Sequence, residues 1–154
     1  VLGTYSTIQS SAYKRMFKDL GDSCNVQEIS CPLFVPIIEE GWADSSIARE
    51  IAKIYLQDIA KSDIDTLILG CTHYPIMAKT IKTLLPNKIQ LVYSGESVGH
   101  TLAEYLKKKN YENSLNMSPS VQFFVTDYPQ KFDELGSRFL GRKLNNVTYI
   151  SILE

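Results

Sequence analysis

Short apolar runs alternate along this chain with stretches in which apolar residues recur every three or four positions, the pattern of a parallel sheet wrapped by helices. Val1, Leu2 and Gly3 read as the end of a strand already under way. Thr4 or Ser6 is placed to cap a helix in which Ile8, Ala12, Met16 and Leu20 recur at spacings of four, with Gly21 ending it. Residues 25–30 predict a second strand. A longer helix is expected from Asp44, as its N-cap, to about Lys61. Ile47, Ile51, Ile54, Tyr55 and Leu56 draw its apolar stripe, and Arg49, Glu50, Lys53 and Asp58 its polar face.

Thr66, Leu67, Ile68 and Leu69 are apolar on both faces, as a central parallel strand covered by helices on each side requires. Pro75 suits the first turn of a following helix, where its missing N–H is no loss, and Met77, Ile81, Leu84 and Leu85 supply that helix's buried side. Residues 89–93 predict the next strand, and a helix from about Glu96 to Lys108 follows. The polar stretch 110–120 reads as a loop or linker. Beyond it come a strand at 121–126, a helix from Pro129 to Leu140 ended by Gly141, and a last strand at 147–152. The order implies an α/β fold with a parallel sheet flanked by helices and right-handed crossovers, in which ligands collect beyond the carboxyl ends of the strands.

Composition narrows the function classes. With 154 residues, 44% of them hydrophobic and 21% charged, the chain has ordinary globular composition. A formal charge of −1 and scattered Lys and Arg, with Lys107 to Lys109 only a short run, offer no face for phosphate backbones, so nucleic acid is not an expected partner. No apolar segment approaches the roughly 18 residues that span a bilayer, and no secretory pattern opens the chain, so a cytoplasmic location away from membranes is expected. Cys24, Cys31 and Cys71 are an odd number, which argues against a disulfide framework and leaves each thiol to be judged by its surroundings. The chain has no initiator methionine, and a fragment of something longer is the expectation.

Gly70-Cys71-Thr72-His73-Tyr74-Pro75 directly follows the best strand. It puts a thiol and an imidazole at the carboxyl edge of the sheet, where thiols facing a helix N-terminus and an imidazole ionise more readily than free ones. Cys71 is thus a candidate acid/base or nucleophile, His73 a group that orients or protonates a substrate, and Thr72 a donor suited to a carboxylate. A buried cysteine with a satisfied histidine neighbour is the blander reading of the same residues. Zinc is not expected, because no second Cys or His pair completes a tetrahedral site. A hydrolase with Cys71 as nucleophile lacks an Asp or Asn placed by sequence to orient His73. Glu39 and Glu40 before Gly41 read by themselves as a solvated pair, Thr4 and Ser6 as helix caps, and Trp42 and His100 as packing or surface residues.

Gly70 to Pro75 after Leu67-Ile68-Leu69 resembles the second-cysteine motif of the glutamate racemases, within the aspartate/glutamate racemase superfamily. Gly3-Thr4 through Thr7, with Ser10 and Tyr13, is similar to the family's Gly-Thr-x-x-Thr opening of its second lobe. The segment Cys31-Pro32-Leu33-Phe34-Val35-Pro36-Ile37-Ile38-Glu39 is similar to its Cys-Pro-x-Phe-Val-Pro-Leu-Val-Glu segment. Phe123 to Asp127, with Phe132 and Phe139-Leu140-Gly141, resembles the family's C-terminal end.

The resemblance implies an isomerase of two α/β lobes that holds glutamate between two cysteines, one on each side of the α-carbon. It makes D-glutamate for peptidoglycan, and so for the cell wall and cell shape, without a cofactor. By resemblance Cys71 is the second base, assisted by His73 and electrostatically by Glu39, while Thr72, His73, Thr4 and Thr7 hold the substrate. The first lobe's Asp-Ser-Gly and Cys-Asn-Thr segments are not in this sequence. Cys31 falls in the family's structural Cys-Pro segment. Cys24 is followed by Asn25 but then by Val26 where a hydroxyl residue belongs, and reads as a loop or partly buried cysteine. Tyr93-Ser94-Gly95 stands where Asp-Ser-Ala is usual.

Residues 1–91 are accordingly expected to form the second lobe carrying Cys71, and 92–154 the returning segment of an incomplete first lobe, exposing apolar residues such as Phe123, Phe124 and Val125. The partners implied are glutamate, the missing N-terminal lobe and, in the full protein, a second copy in a homodimer. Inactivity alone is expected. A racemase for a related amino acid such as aspartate, and a non-catalytic remnant or binding module, are the alternatives.

Overall fold

The computed structural model describes residues 1–21, 23–113 and 120–152. They form two compact units, Val1–Lys109 and Asn110–Glu154.

The first unit is built on a parallel sheet of four strands, β1 (Leu2–Gly3), β2 (Ile29–Ser30), β3 (Thr66–Leu69) and β4 (Gln90–Tyr93), in the order β2-β1-β3-β4. Leu2 lies opposite both Ile29 and Leu69, and β3 pairs with β4 from Thr66–Gln90 to Leu69–Tyr93. The apolar run Thr66–Leu69 thus occupies an interior position, as its two-sided hydrophobicity predicts. The predicted strand at 25–30 narrows to Ile29–Ser30, although the Val1 nitrogen donates to the Gln27 carbonyl at 2.7 Å and carries the pairing further.

Period-two alternation divides the helices between two faces of the sheet. Leu2, Cys31, Leu67 and Leu69 point into a core shared with α3 (Phe34–Glu39), α4 (Ser46–Leu56) and α5 (Ala78–Lys82), where Phe34, Ile37, Ala48, Ala52, Leu56, Tyr74, Met77 and Ile81 are buried. Gly3 and Gly70 face the other way, toward α1 (Tyr5–Gln9) and α2 (Ala12–Asp19). A Cβ on Gly3 would lie 2.9 Å from Ile8, and one on Gly70 2.9 Å from the Leu2 carbonyl oxygen and 3.0 Å from the Tyr13 ring. The missing side chains let these helices close on the sheet next to the strand ends.

Several expectations change in the structure. The single helix expected after Thr4 is split, because Ser11 adopts a left-handed φ of 49° and the Ser10 hydroxyl donates to the Thr7 carbonyl at 2.7 Å, competing with the backbone ladder. Ser45, rather than Asp44, caps α4: its hydroxyl accepts the Ala48 N–H at 3.1 Å, whereas Asp44 belongs to the turn closed by Ser45 N–H on the Trp42 carbonyl. α4 ends at Leu56 and a 3-10 turn, Ile59–Lys61, follows; tightening to three residues per turn keeps Ile59 over Leu56 in the core. The stripe of α4 that is buried is Ala48-Ala52-Leu56, with Ile47 and Ile54 exposed. α3 was not expected from periodicity, though Phe34, Ile37 and Ile38 carry helical spacing and Pro36 sits in the first turn, where no N–H is needed.

β4 leads directly into α6 (Ser94–Lys108), which starts two residues before the expected Glu96 and buries none of its residues. In the second unit a parallel pair, β5 (Phe123–Val125) and β6 (Val147–Tyr149), is joined through α7 (Pro129–Leu140), a βαβ crossover. Gly141 ends α7 at φ 64°, as the sequence predicts, and Leu144 packs so closely under Gly136 that a Cβ there would lie 2.5 Å from it. Phe124 is exposed as expected, but Val125 is buried and Phe123 half-buried, its ring 6.0 Å from that of Phe132. Much of the polar stretch 110–120, expected as a loop or linker, lies outside the described residues.

Candidate active site

Register puts the chemistry at one edge. Because Leu2 pairs with Leu69, the residues two further on, Thr4 and Cys71, leave neighbouring strands at the same level of the carboxyl edge. Gly70 N–H donates to the Leu2 carbonyl at 2.7 Å and Cys31 N–H to the Gly3 carbonyl at 2.9 Å, so the three strand ends are held together. Thr4 caps α1 by accepting the Thr7 N–H at 3.3 Å, and the Thr4 and Thr7 hydroxyls lie 2.9 Å apart. Both hydroxyls are only partly buried.

After Gly70 the chain turns through Cys71, whose carbonyl accepts the Tyr74 N–H at 3.2 Å, into a 3-10 turn, Tyr74–Met77, with Pro75 in its first positions. This short turn stands where a longer helix was expected from Pro75, and α5 continues it. Cys71 Sγ is 3.9 Å from His73 Nδ1, and His73 Nε2 is 3.2 Å from Glu39 Oε1. A carboxylate only accepts, so Nε2 is the donor to Glu39, and in the neutral ring Nδ1 is then the nitrogen whose lone pair faces the thiol. Thr72, between the two, is exposed. The side chains of His73 and Glu39 are 26% and 39% exposed, so the pair is reachable from solvent without being free in it.

Glu39 is therefore not the solvated residue that its local sequence suggests. α3 projects it from the far side of the Cys31–Pro32 turn onto the imidazole, 34 residues away in sequence. Its neighbour Glu40 is exposed, in line with the bland reading. The hydrolase reading lacked an orienter for His73, and Glu39 holds that position, a relation no local spacing encodes.

The other two thiols are placed elsewhere. Cys31 is buried, and burial pushes its thiol from an ordinary value of 9.0 up to about 12. Such a thiol stays protonated and packs as a small apolar side chain. Cys24 is exposed and lines, with Phe17, Gln27, Asp63 and Leu67, a cavity of about 430 Å3 at the amino ends of the strands, the edge opposite Cys71. His100 on α6 and Trp42 are exposed. Among the described residues, no group of three His, Cys, Asp or Glu side chains could hold a metal ion, and no helix is long and apolar enough to cross a membrane.

No protein-family model matches the chain. A glutamate racemase of Geobacter metallireducens is 38% identical over 152 residues, which are 99% of this chain and 56% of that protein. The crystal structure of a glutamate racemase isoform from Bacillus anthracis superposes with a TM-score of 0.86 at 31% identity, covering 98% of this chain and 56% of the other. A glutamate racemase of Francisella tularensis, crystallised with D-glutamate, gives a TM-score of 0.86 at 33% identity, again over 97% of this chain and 56% of the other. The chain thus spans rather more than half the length of the relatives it matches, and over that span it is similar in sequence and in fold to glutamate racemases.

Proposed function

We propose that this chain supplies the second cysteine base of a cofactor-independent glutamate racemase, which interconverts L- and D-glutamate for peptidoglycan synthesis. The supporting observation is the run Cys71–His73–Glu39 at the carboxyl edge of the sheet. With Nε2–H turned to Glu39, the imidazole can accept the thiol proton at Nδ1 and return it, so Cys71 serves alternately as base and acid. As thiolate, Cys71 removes the α-proton of L-glutamate, and a protonated thiol on the opposite face of the α-carbon delivers a proton there. Reversal converts the D-enantiomer. Thr72, the Nδ1–H that His73 carries once it has taken the thiol proton, and the Thr4–Thr7 hydroxyl pair on the neighbouring strand end offer donors for the substrate carboxylates.

Inversion needs two bases on opposite faces. Cys31 is buried and Cys24 lies at the other edge of the sheet, which supports the reading, implied by the resemblance, that the opposing base is a cysteine of a racemase first lobe. Residues 92–154 are the part of the chain that returns to that lobe, and α6 exposes Val98, Leu102 and Tyr105 along one face, four and then three residues apart. On this reading the protein works in the cytoplasm and the full protein is a homodimer.

The test is incorporation of deuterium at the α-carbon of L- and D-glutamate in deuterated water. The expected result is no inversion by this chain alone. Inversion should follow addition of a racemase first lobe and disappear with Cys71→Ala. Inversion by the chain alone that survives Cys71→Ala refutes the assignment, and silence after the first lobe is supplied favours a non-catalytic binding module.

A further inference from the structure

We propose that Tyr74 is a positioning residue that holds the Glu39 carboxylate against His73. The inference rests on the reading of Glu39 and His73 as the groups that assist Cys71, and it extends that reading to a buried side chain with no place in the proton transfers.

Tyr74 is fully buried and is the largest of the fully buried side chains. Its hydroxyl donates to the Cys31 carbonyl at 3.0 Å. The same carbonyl accepts the Phe34 N–H at 3.2 Å, the bond that turns the chain from Cys31–Pro32 into α3. The Tyr74 ring also stands edge-to-face on Phe34, with centroids 5.2 Å apart and planes at 88°. Two contacts from one side chain thus fix the first residue of α3.

The other end of α3 is Glu39. α3 is one continuous helical segment of six residues with Phe34, Ile37 and Ile38 buried, so the position of its start carries through helical geometry to the point where its last side chain emerges. His73 and Tyr74 are adjacent in sequence, one reaching the end of α3 and the other its beginning. Tyr74 N–H closes the turn onto the Cys71 carbonyl, so its backbone belongs to the thiol's own loop. The distance between Cys71 and α3 is thereby set twice, and only one of the two links, the phenol, lies out of reach of solvent. Desolvation raises the phenol well above its ordinary value of 10.0, which keeps it a donor through the working pH range. A phenylalanine at this position would fill the core as well as tyrosine does. The hydroxyl has a role beyond packing, and among the described residues its partner is the carbonyl at the head of α3.

The experiment is ring-nitrogen NMR of His73 in the 154-residue chain, in which His100 is the only other histidine and serves as the internal reference. It is joined to peptide-resolved alkylation of Cys71 as a function of pH. Glu39→Gln defines the signature of a weakened Glu39–His73 bond. Tyr74→Phe keeps the ring and its contact with Phe34, and it should move both His73 nitrogens and the Cys71 alkylation profile in the Glu39→Gln direction by a smaller amount, with His100 and Cys24 unchanged. Phe34→Leu weakens the ring packing but keeps the phenol bond, and it should lower stability while leaving the His73 signals close to their original positions. His73 signals unmoved by Tyr74→Phe while Glu39→Gln moves them overturn the role of Tyr74 alone. Shifts in Phe34→Leu as large as those in Tyr74→Phe overturn it too, by reducing the phenol to one packing contact among several. If Glu39→Gln itself leaves His73 and Cys71 unchanged, the assisting pair fails and the inference falls with it.

Discussion

Replacing Gly70 by alanine adds one methyl group at the point where the strand end, α2 and the thiol loop meet. Its Cβ would lie 2.9 Å from the Leu2 carbonyl oxygen, 3.0 Å from Tyr13 Cε2 and 3.1 Å from Val1 Cγ1. The first contact is with backbone and cannot rotate away. That carbonyl also accepts the Gly70 N–H at 2.7 Å, so relieving the clash stretches the bond that aligns Thr4 with Cys71. Overpacking of this kind costs about 1–3 kcal/mol, and a weakened buried backbone hydrogen bond about 1 kcal/mol more. Against a typical domain stability of about 5–15 kcal/mol, the urea midpoint should fall by roughly 1 M or more. Gly99→Ala is the matched control. It sits within α6 with nothing inside 4 Å of the added Cβ, and it should stabilise the unit by about 0.5–1 kcal/mol through helix propensity. Trp42, the only tryptophan, lies in the same unit and reports its unfolding by fluorescence. Equal midpoints for the two variants would refute the claim that the sheet and α1–α2 close on Gly70.

The Cys31 thiol is raised on folding by burial, so the unfolded chain loses that proton first as pH rises above 9.0, and stability should decline from there toward pH 12. The contribution of one such group approaches about 1.4 kcal/mol per pH unit, and Cys31→Ala should flatten the alkaline limb of midpoint against pH; a limb unchanged by that substitution would remove Cys31 as its source. Ser45→Ala should cost about 1 kcal/mol and Asp44→Ala less than about 0.5 kcal/mol in urea denaturation, because only the Ser45 hydroxyl caps α4; the reverse order would restore Asp44 as the cap. In the deuterium-exchange assay with a first lobe supplied, Thr72→Val should raise the glutamate concentration needed for half-maximal rate more than it lowers the rate itself; a pure loss of rate would take Thr72 out of substrate binding.

The parts of this protein that were legible in its sequence share a physical property: each depends on neighbours along the chain. The two-sided apolar run Thr66–Leu69 announces an interior strand, and Pro129 with Gly141 brackets α7 because one fixes φ and the other accepts a left-handed φ. The motif after Leu69 therefore had only one edge of the sheet to occupy. α4 shows where such reasoning stops. It carries two apolar stripes, one of isoleucines and one of alanines with Leu56, and periodicity favours the bulkier. The core buries the smaller one fully, with Ile51 and Tyr55 packed only partly against it, which is a property of the space between elements.

The candidate site divides along the same line. Sequence by itself determined that a thiol and an imidazole, two residues apart, leave a buried strand together, because a strand end and a turn fix both. The resemblance named Glu39 as an assisting group and set Cys31 and Cys24 aside, but only the tertiary structure gives the contact itself, Glu39 Oε1 at 3.2 Å from His73 Nε2, and the burial of Cys31 and exposure of Cys24 away from Cys71. Those relations are set by the packing of α3 against the Cys71 loop and by strand order across the sheet, where residues far apart in the chain share a few ångströms and no local pattern records the meeting.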